Sequence, residues 1–387
     1  MAPFDPRRLA LARCAAGKTK SDLARDLELS PASISQYEAG NTTPRTAVMA
    51  ELALLLGVDP IYFQRMPGRR EVSPASRSFF RSLRATRQFE RDEADALSEH
   101  VYDIIALLES RVTLLPPDLP SLPVGPDVPR AQVEDVAAAV RTHWSVPEGR
   151  PVANVVRLME SRGVFVCRPP GISTRVDAFS RWFDNRPLVV LNDDKRDKAR
   201  SRFDAAHELA HLVMHHEPEF SDRAQERQAH AFAAAFLMPA REVAEDLPVR
   251  PPRVDEWEGL QQAQRRWGVS IAALLYRAKE LGTLSDSAFR RAMTRYNDLR
   301  LATSDGRALG PPETPQLLSE AVSVVMRHNR WGFDDFAREL CFTPRQLAAV
   351  LGPPADAIPE EAPRAGVLVA FPTPPADGLG QPGMANR

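Results

Sequence analysis

Cysteine is scarce in this chain: Cys14, Cys167 and Cys341 are scattered over 387 residues with no CxxC pair. An odd, widely spaced set excludes a disulfide framework and agrees with a reducing compartment, the cytosol. Each is read as a small buried apolar residue rather than a nucleophile. Net charge is equally scarce, since 50 Lys and Arg offset 51 Asp and Glu. The global balance therefore singles out no partner, and charge has to be read locally. No run of about 18 apolar residues occurs, so no membrane-spanning helix is expected. The N-terminal stretch MAPFDPRRLALARC lacks the apolar core of a signal peptide. What is present, 43% hydrophobic and 26% charged residues, is the composition of a soluble globular protein with room for two or three domains.

Proline, in contrast, is abundant at 35 residues, and much of it marks boundaries. Residues 1–66 read as short helices with tight turns, and 67–115 as helical and arginine-rich. LLPPDLPSLPVGPDVP, 114–129, blocks both helix and interior strand, so 67–129 is taken as a helical connector ending in a linker. Residues 130–285 form the next unit, opened by helices near 131–144 and 152–162. VFVC (164–167), VDAFS (176–180) and PLVVLN (187–192) have the content of strands, with DNR at 184–186 as a hairpin turn. A long helix from about 195 and another over 222–237 follow, closed by Pro239. Residues 286–352 read as a further helical domain. The tail 353–387, rich in Pro, Ala and Gly, is expected to be disordered.

RFDAAHELAHLVMHH, 202–216, holds four of the eight histidines. Within it His207-Glu208-Leu209-Ala210-His211 is an HExxH pattern. Residues four apart on a helix lie about 6 Å along the axis and about 40° around it, so two imidazoles can bite one metal ion from one face. Glu208 beside them is placed to act on water rather than on the metal. Phe203, Ala206, Ala210 and Val213 form an apolar stripe bordered by the two histidines, which puts the site near the core but open on one side. A catalytic zinc takes three protein ligands. His215 is about 12 Å along the axis from His207, too far for a ligand. His215 and His216 are placed instead near the helix C-terminus, where a partly positive ring is favoured. The third donor comes better from SDRAQERQAHAFAAAFLMP. There Glu226 precedes His230 by one turn, opposite the packing residues Ala229, Phe232, Ala233 and Phe236. His, His, then Glu on a following helix is the gluzincin arrangement.

TKSDLARDLELSPASISQYEAGNTTPRTAVMAELALLLGV, 19–58, has the spacing of two helices packed across a tight turn. Thr19 with Asp22 reads as a capping pair, and Ser30-Pro31 as an N-cap followed by proline at the first helical position. The second helix then exposes Ala32, Ser33, Gln36 and Tyr37. Residues 1–70 carry ten Lys or Arg against seven Asp or Glu. Beyond them Arg77, Arg81, Arg84 and Arg91 recur at helical spacing, either to meet phosphates or as a solvated face. DFARELCFTPRQL (335–347) aligns without gaps to DLARDLELSPASI (22–34) with five identities. It is read as a packing hairpin with the same turn chemistry, a second helix-turn-helix being the alternative.

Residues 19–58 resemble the XRE-type helix-turn-helix, including ISQYEAGNTTP. That resemblance implies a second helix in the major groove, with Ala32, Ser33, Gln36 and Tyr37 reading bases and Lys20 and Asn41 near phosphates. Glu28 stands at the turn position where glycine is common in that family. Over 130–285, AFSRWFDNRPLVVLN, ARSRFDAAHELAHLVMHHE and ERQAHAFAAAFLMP resemble the ImmA/IrrE-type metallopeptidase domain. The resemblance implies Zn2+ held by His207, His211 and Glu226, with Glu208 as general base. His230 departs from the family's usual Asn or Asp; it orients Glu226, stabilises an oxyanion, or has no role. The expected fold is α+β and predominantly α: an all-α helix-turn-helix, a zincin-like domain with a small antiparallel sheet, and a helical C-terminal region. The expected function is a DNA-binding transcriptional regulator with a zinc endopeptidase that cleaves a repressor in a stress or mobile-element response. Its expected partners are double-stranded DNA, a protein substrate and a second copy in a homodimer, with no membrane. The alternatives are a transcription factor with a non-catalytic zinc sensor, or the toxin of a toxin–antitoxin pair.

Overall fold

A computed structural model of the chain describes residues 3–64, 88–170, 178–192, 197–215, 222–253, 256–299 and 306–352. The expected tail, 353–387, lies outside the described residues, as do His216 and the arginines at 77, 81 and 84. Among the described residues no helix is long and apolar enough to cross a membrane.

The chain opens with α1 (Pro6–Ala15), α2 (Lys20–Asp26), α3 (Pro31–Glu38) and α4 (Thr46–Leu56). Local chemistry explains their ends. Thr19 and Asp22 form a capping box on α2, and the Ser30 side chain caps α3 with Pro31 in its first turn, so amides that helix starts leave orphaned are satisfied. Between them Glu28 takes a left-handed φ of 54°, at a cost of about 1 kcal/mol for a non-glycine residue. A long helix, α5 (Gln88–Arg111), then leads to the proline-rich segment and to α6 (Arg130–His143) and α7 (Val155–Glu160).

Three strands follow: β1 (Phe165–Cys167), β2 (Ala178–Phe183) and β3 (Arg186–Leu191). The expected antiparallel sheet is instead mixed. Its order is β1-β3-β2, with β2 antiparallel and β1 parallel to β3. The reason is burial. β3 is buried at every position, so it takes the centre, where both edges and both faces are covered. Only the β2–β3 connection is a hairpin, a two-residue turn at Asp184 and Asn185 with Asp184 at φ 49°.

The sheet then feeds α8 (Lys198–Met214), α9 (Asp222–Leu237), the short α10 (Ala240–Val243), α11 (Trp257–Trp267), α12 (Ile271–Glu280) and α13 (Asp286–Asp298). Strand alternation assigns its two faces to different cores. Val166, Val189 and Leu191 pack with α6, α8, α9 and α11–α13. Phe165, Cys167, Phe179, Phe183, Leu188 and Val190 join α5, the N-terminal helices and the C-terminal helices. Each fully buried phenylalanine of α9, Phe232 and Phe236, contributes about 1.5–3 kcal/mol of transfer free energy.

The chain closes with α14 (Leu317–Asn329), α15 (Phe333–Glu339) and α16 (Pro344–Leu351). The α15–α16 turn repeats that between α2 and α3. Cys341 has φ 55° where Glu28 has 54°, and Phe342 N donates to Ala337 O at 2.9 Å as Leu29 N does to Ala24 O at 2.8 Å. This second hairpin packs inward: Leu347 and Val350 are buried, and Thr343 Oγ1 donates to Gly57 O at 3.1 Å. Arg345, Gln346 and Ala349 line a cavity of about 400 Å³ against the N-terminal helices and α5.

Candidate metal centre

The site is built on α8, whose N-terminus is anchored from several directions. Asp197 caps it, and Arg202, 2% exposed, pairs with buried Glu313. The Arg202 guanidinium also donates to Val152 O at 2.6 Å and Ala153 O at 3.1 Å. Gly268 sits at φ 65°, where a Cβ would meet Arg202 Nε at 2.9 Å, so the position needs glycine on both counts. At the other end, the orphan carbonyls of α8 find donors: Trp182 Nε1 reaches Leu212 O at 3.3 Å, and Leu122 N reaches Val213 O at 3.0 Å.

One turn apart on this helix, the His207 and His211 Nε2 atoms lie 3.2 Å from each other. Helix α9 packs across α8 and brings Glu226 over them, with Oε2 3.2 Å from His207 Nε2 and Oε1 3.5 Å from His211 Nε2. One donor atom from each of the three residues falls within 4.8 Å of the others, a group able to hold a metal ion. Two imidazoles and a carboxylate suit zinc chemically. Glu226 Oε1 is buried with no hydrogen-bond partner, as an atom reserved for a cation would be.

Charge agrees with geometry. Burial alone would lower the His207 pKa and raise that of Glu226. The hydrogen bond between them reverses both, and Glu226 with Glu208 holds His207 above its ordinary value. Contact with His207 and His211 holds Glu226 well below the carboxylate range. Glu208 points elsewhere: its Oε2 accepts from Ser180 Oγ of β2 at 2.7 Å, with both residues buried. His230 is exposed, its ring 4.8 Å from that of His207 and 5.5 Å from Phe203. Partial desolvation of the ring where it packs beside Phe203 and His207, together with the facing histidines, lowers its pKa.

His215 corrects the expectation of a partly positive ring at the helix end. It caps α8 but is 2% exposed. Burial, reinforced by His211, pushes its pKa down to about 3, so desolvation outweighs any attraction to the helix terminus. Sequence reasoning missed its contacts with His211 and Gln228, along with Ser180 and Glu313. The spacing of four between His211 and His215 was the one available signal.

Among the base-reading candidates, Ala32 and Gln36 are exposed on α3, Ser33 and Tyr37 are half-buried, and Asn41 is exposed just beyond the helix. Ser33 Oγ lies 2.9 Å from Ser30 Oγ at the cap. The face is therefore formed mainly by Ala32, Gln36 and Asn41. Lys20, half-exposed, reaches the buried Glu38 carboxylate at 3.2 Å, which Arg13 also binds. Arg91 is engaged within α5, donating to Gln88 Oε1 at 2.8 Å.

Comparison with known families agrees with both halves of this architecture. Residues 9–63 match the model of a helix-turn-helix family, and residues 159–279 match that of the IrrE N-terminal-like domain, a peptidase family. No curated protein shows significant similarity to the chain. The matched segments contain α3 in one case and His207, Glu208, His211 and Glu226 in the other, so the chain is similar to a helix-turn-helix family over its N-terminal module and to the IrrE N-terminal-like domain of a peptidase family around the histidine–glutamate cluster.

Proposed function

We propose that the protein is a DNA-bound regulator carrying a zinc-dependent endopeptidase. It cleaves a repressor or comparable regulatory protein in a stress or mobile-element response. Residues 1–66 form the DNA-binding domain, 67–129 the connector, 130–285 the peptidase and 286–352 a helical C-terminal domain, with the chain acting as a homodimer in the cytoplasm. The observation that carries the enzymatic half is the convergence of His207, His211 and Glu226 while Glu208 keeps a separate partner. A purely structural metal site has no use for a carboxylate held beside the ligands and apart from them.

His207, His211 and Glu226 would hold the zinc, which supplies Lewis-acid activation of water and of the peptide carbonyl. Glu208 accepts a proton as the water oxygen bonds to the carbonyl carbon. It returns that proton to the amine nitrogen as the C–N bond breaks. Ser180 orients the carboxylate for both transfers. The substrate runs extended along the outer edge of β2, whose other edge pairs with β3, as an added strand. His230 stands at the mouth of the site, within reach of a developing oxyanion.

The test is incubation of the zinc-loaded protein with the purified products of its neighbouring genes, followed by mass spectrometry of fragments. The wild-type chain is expected to generate a defined cut, and Glu208→Gln to keep zinc and lose the cut. Equal cleavage by the variant removes Glu208 from the chemistry. Zinc binding with no cleavage by either favours a sensor.

A further inference from the structure

Gln228 lies two residues after Glu226 on α9 and is buried. Its Nε2 donates to Gly125 O at 2.7 Å and to Pro126 O at 3.3 Å. Carbonyls only accept, so these two contacts decide which end of the amide is the NH2. The other end, Oε1, then faces His215 Nε2 at 3.0 Å. An acceptor at that place requires the hydrogen of His215 to sit on Nε2. A neutral ring carrying hydrogen there presents a lone pair at Nδ1, and that atom lies 2.9 Å from His211 Nδ1. His211 must therefore donate from Nδ1. Its remaining lone pair is on Nε2, the atom that faces His207 and Glu226.

We infer that His215 and Gln228 are positioning residues: the carbonyls of Gly125 and Pro126 orient Gln228, Gln228 orients His215, and His215 holds His211 as the tautomer whose Nε2 binds the metal. The inference rests on the metal-site reading above. It gives the proline-rich segment a task beyond linkage. Proline lacks an N–H but keeps its carbonyl, so the segment can offer successive acceptors. Leu122 N, bonded to Val213 O at 3.0 Å, fastens the same segment to the end of α8. The side chains of the relay are buried in the fold: His211 and His215 are each 2% and Gln228 6% exposed, while Gly125 and Pro126 are half-buried. Water therefore competes little for the bonds that link Gln228, His215 and His211.

Outer partners of metal-bound histidine are worth about 10–100-fold in metal affinity. Zinc dissociation constants are measured by chelator competition for the full chain and for His215→Leu, Gln228→Leu, Gln228→Glu and His207→Ala, with circular dichroism of each. His215→Leu and Gln228→Leu are expected to weaken zinc by about 10-fold or more. Gln228→Glu keeps an acceptor for His215 Nε2 but loses both donations to the Gly125 and Pro126 carbonyls, and is expected to fall between wild type and Gln228→Leu. Imidazole nitrogen shifts of the zinc-loaded wild-type protein are expected to show His215 protonated at Nε2 and His211 at Nδ1. Folded leucine variants that bind zinc within 2-fold of wild type, or a His215 protonated at Nδ1, overturn the relay. If His215→Leu fails to fold, Gln228→Leu and the wild-type spectrum decide. Loss of zinc in His207→Ala alone sinks the relay and spares the metal site, whereas no zinc binding by the wild type sinks both.

Discussion

Removing the Glu313 carboxylate tests how the metal-binding helix is anchored. Glu313 and Arg202 are 3% and 2% exposed at their side chains and pair directly. Glu313 Oε2 also accepts from Val155 N at 2.8 Å and Val156 N at 3.1 Å, the first turn of α7. Glu313→Leu leaves a buried guanidinium without its counter-ion and two amides without an acceptor. Breaking a buried pair from one side costs about 3–5 kcal/mol. The carbonyls of Val152 and Ala153 still hold Arg202, which argues for the middle of that range, ~4 kcal/mol. Replacing both partners, Arg202→Met with Glu313→Leu, removes the stranded charge and leaves the two amides without an acceptor and the Val152 and Ala153 carbonyls without their Arg202 donors, a cost of about 2–3 kcal/mol. The double variant is thus expected to be more stable than the single one. The assay is guanidinium unfolding of the zinc-free protein followed by tryptophan fluorescence. Trp144, Trp257 and Trp267 are buried in the core around α8 and Trp182 packs against it, so four of the five tryptophans report that unit, Trp331 lying against the other core. With a slope of about 4 kcal/mol/M, the midpoint falls about 1 M in the single variant and about 0.5–0.75 M in the double. A single variant that unfolds at the wild-type midpoint, or a double variant less stable than the single, refutes this energetic account.

Glu226→Ala is expected to bring bound zinc well below one ion per chain by elemental analysis; full occupancy would reassign the third ligand. Gln36→Ala should weaken binding to an operator selected from a random duplex pool by ~1–3 kcal/mol while sparing non-specific binding, and an unchanged specificity ratio would take Gln36 out of base reading. Glu160 is pushed up to about 7 by burial, against the amides of Gln316 and Leu317 that donate to it. Its folded pKa exceeds the ordinary 4.5, so the native chain binds the extra proton between those values and loses stability as pH rises through that window. Glu160→Gln should flatten this loss between pH 5 and pH 8, and denaturation midpoints that keep the wild-type slope would refute the assignment.

Much of the architecture was legible because it is written at short range. The capping pair Thr19–Asp22, the Ser30-Pro31 start of α3 and the histidine spacing on α8 each lie within a few residues of sequence. The same holds for the repeated turn: alignment of 335–347 on 22–34 pairs Cys341 with Glu28, and both adopt the left-handed backbone. The alignment was silent on where the second hairpin packs, because Thr343 and its acceptor Gly57 are 286 residues apart. The parallel pairing of β1 with β3 was hidden for a related reason. Apolar content marks a strand as buried, but neighbour order depends on which strand needs cover on both edges.

The sequence by itself determined that two imidazoles share one helical face with a glutamate beside them, because a spacing of four residues and the helical repeat leave no other arrangement. It likewise determined where the helices of the N-terminal module begin and turn. Only the tertiary structure decided which groups hold those side chains in place: Ser180 for Glu208, Gln228 and the Gly125 carbonyl for His215, and Glu313 for Arg202. These partners come from 13 to 111 residues away. They meet because the apolar faces of α8, α9 and the sheet must be buried together, and each polar group carried into that core needs a partner there.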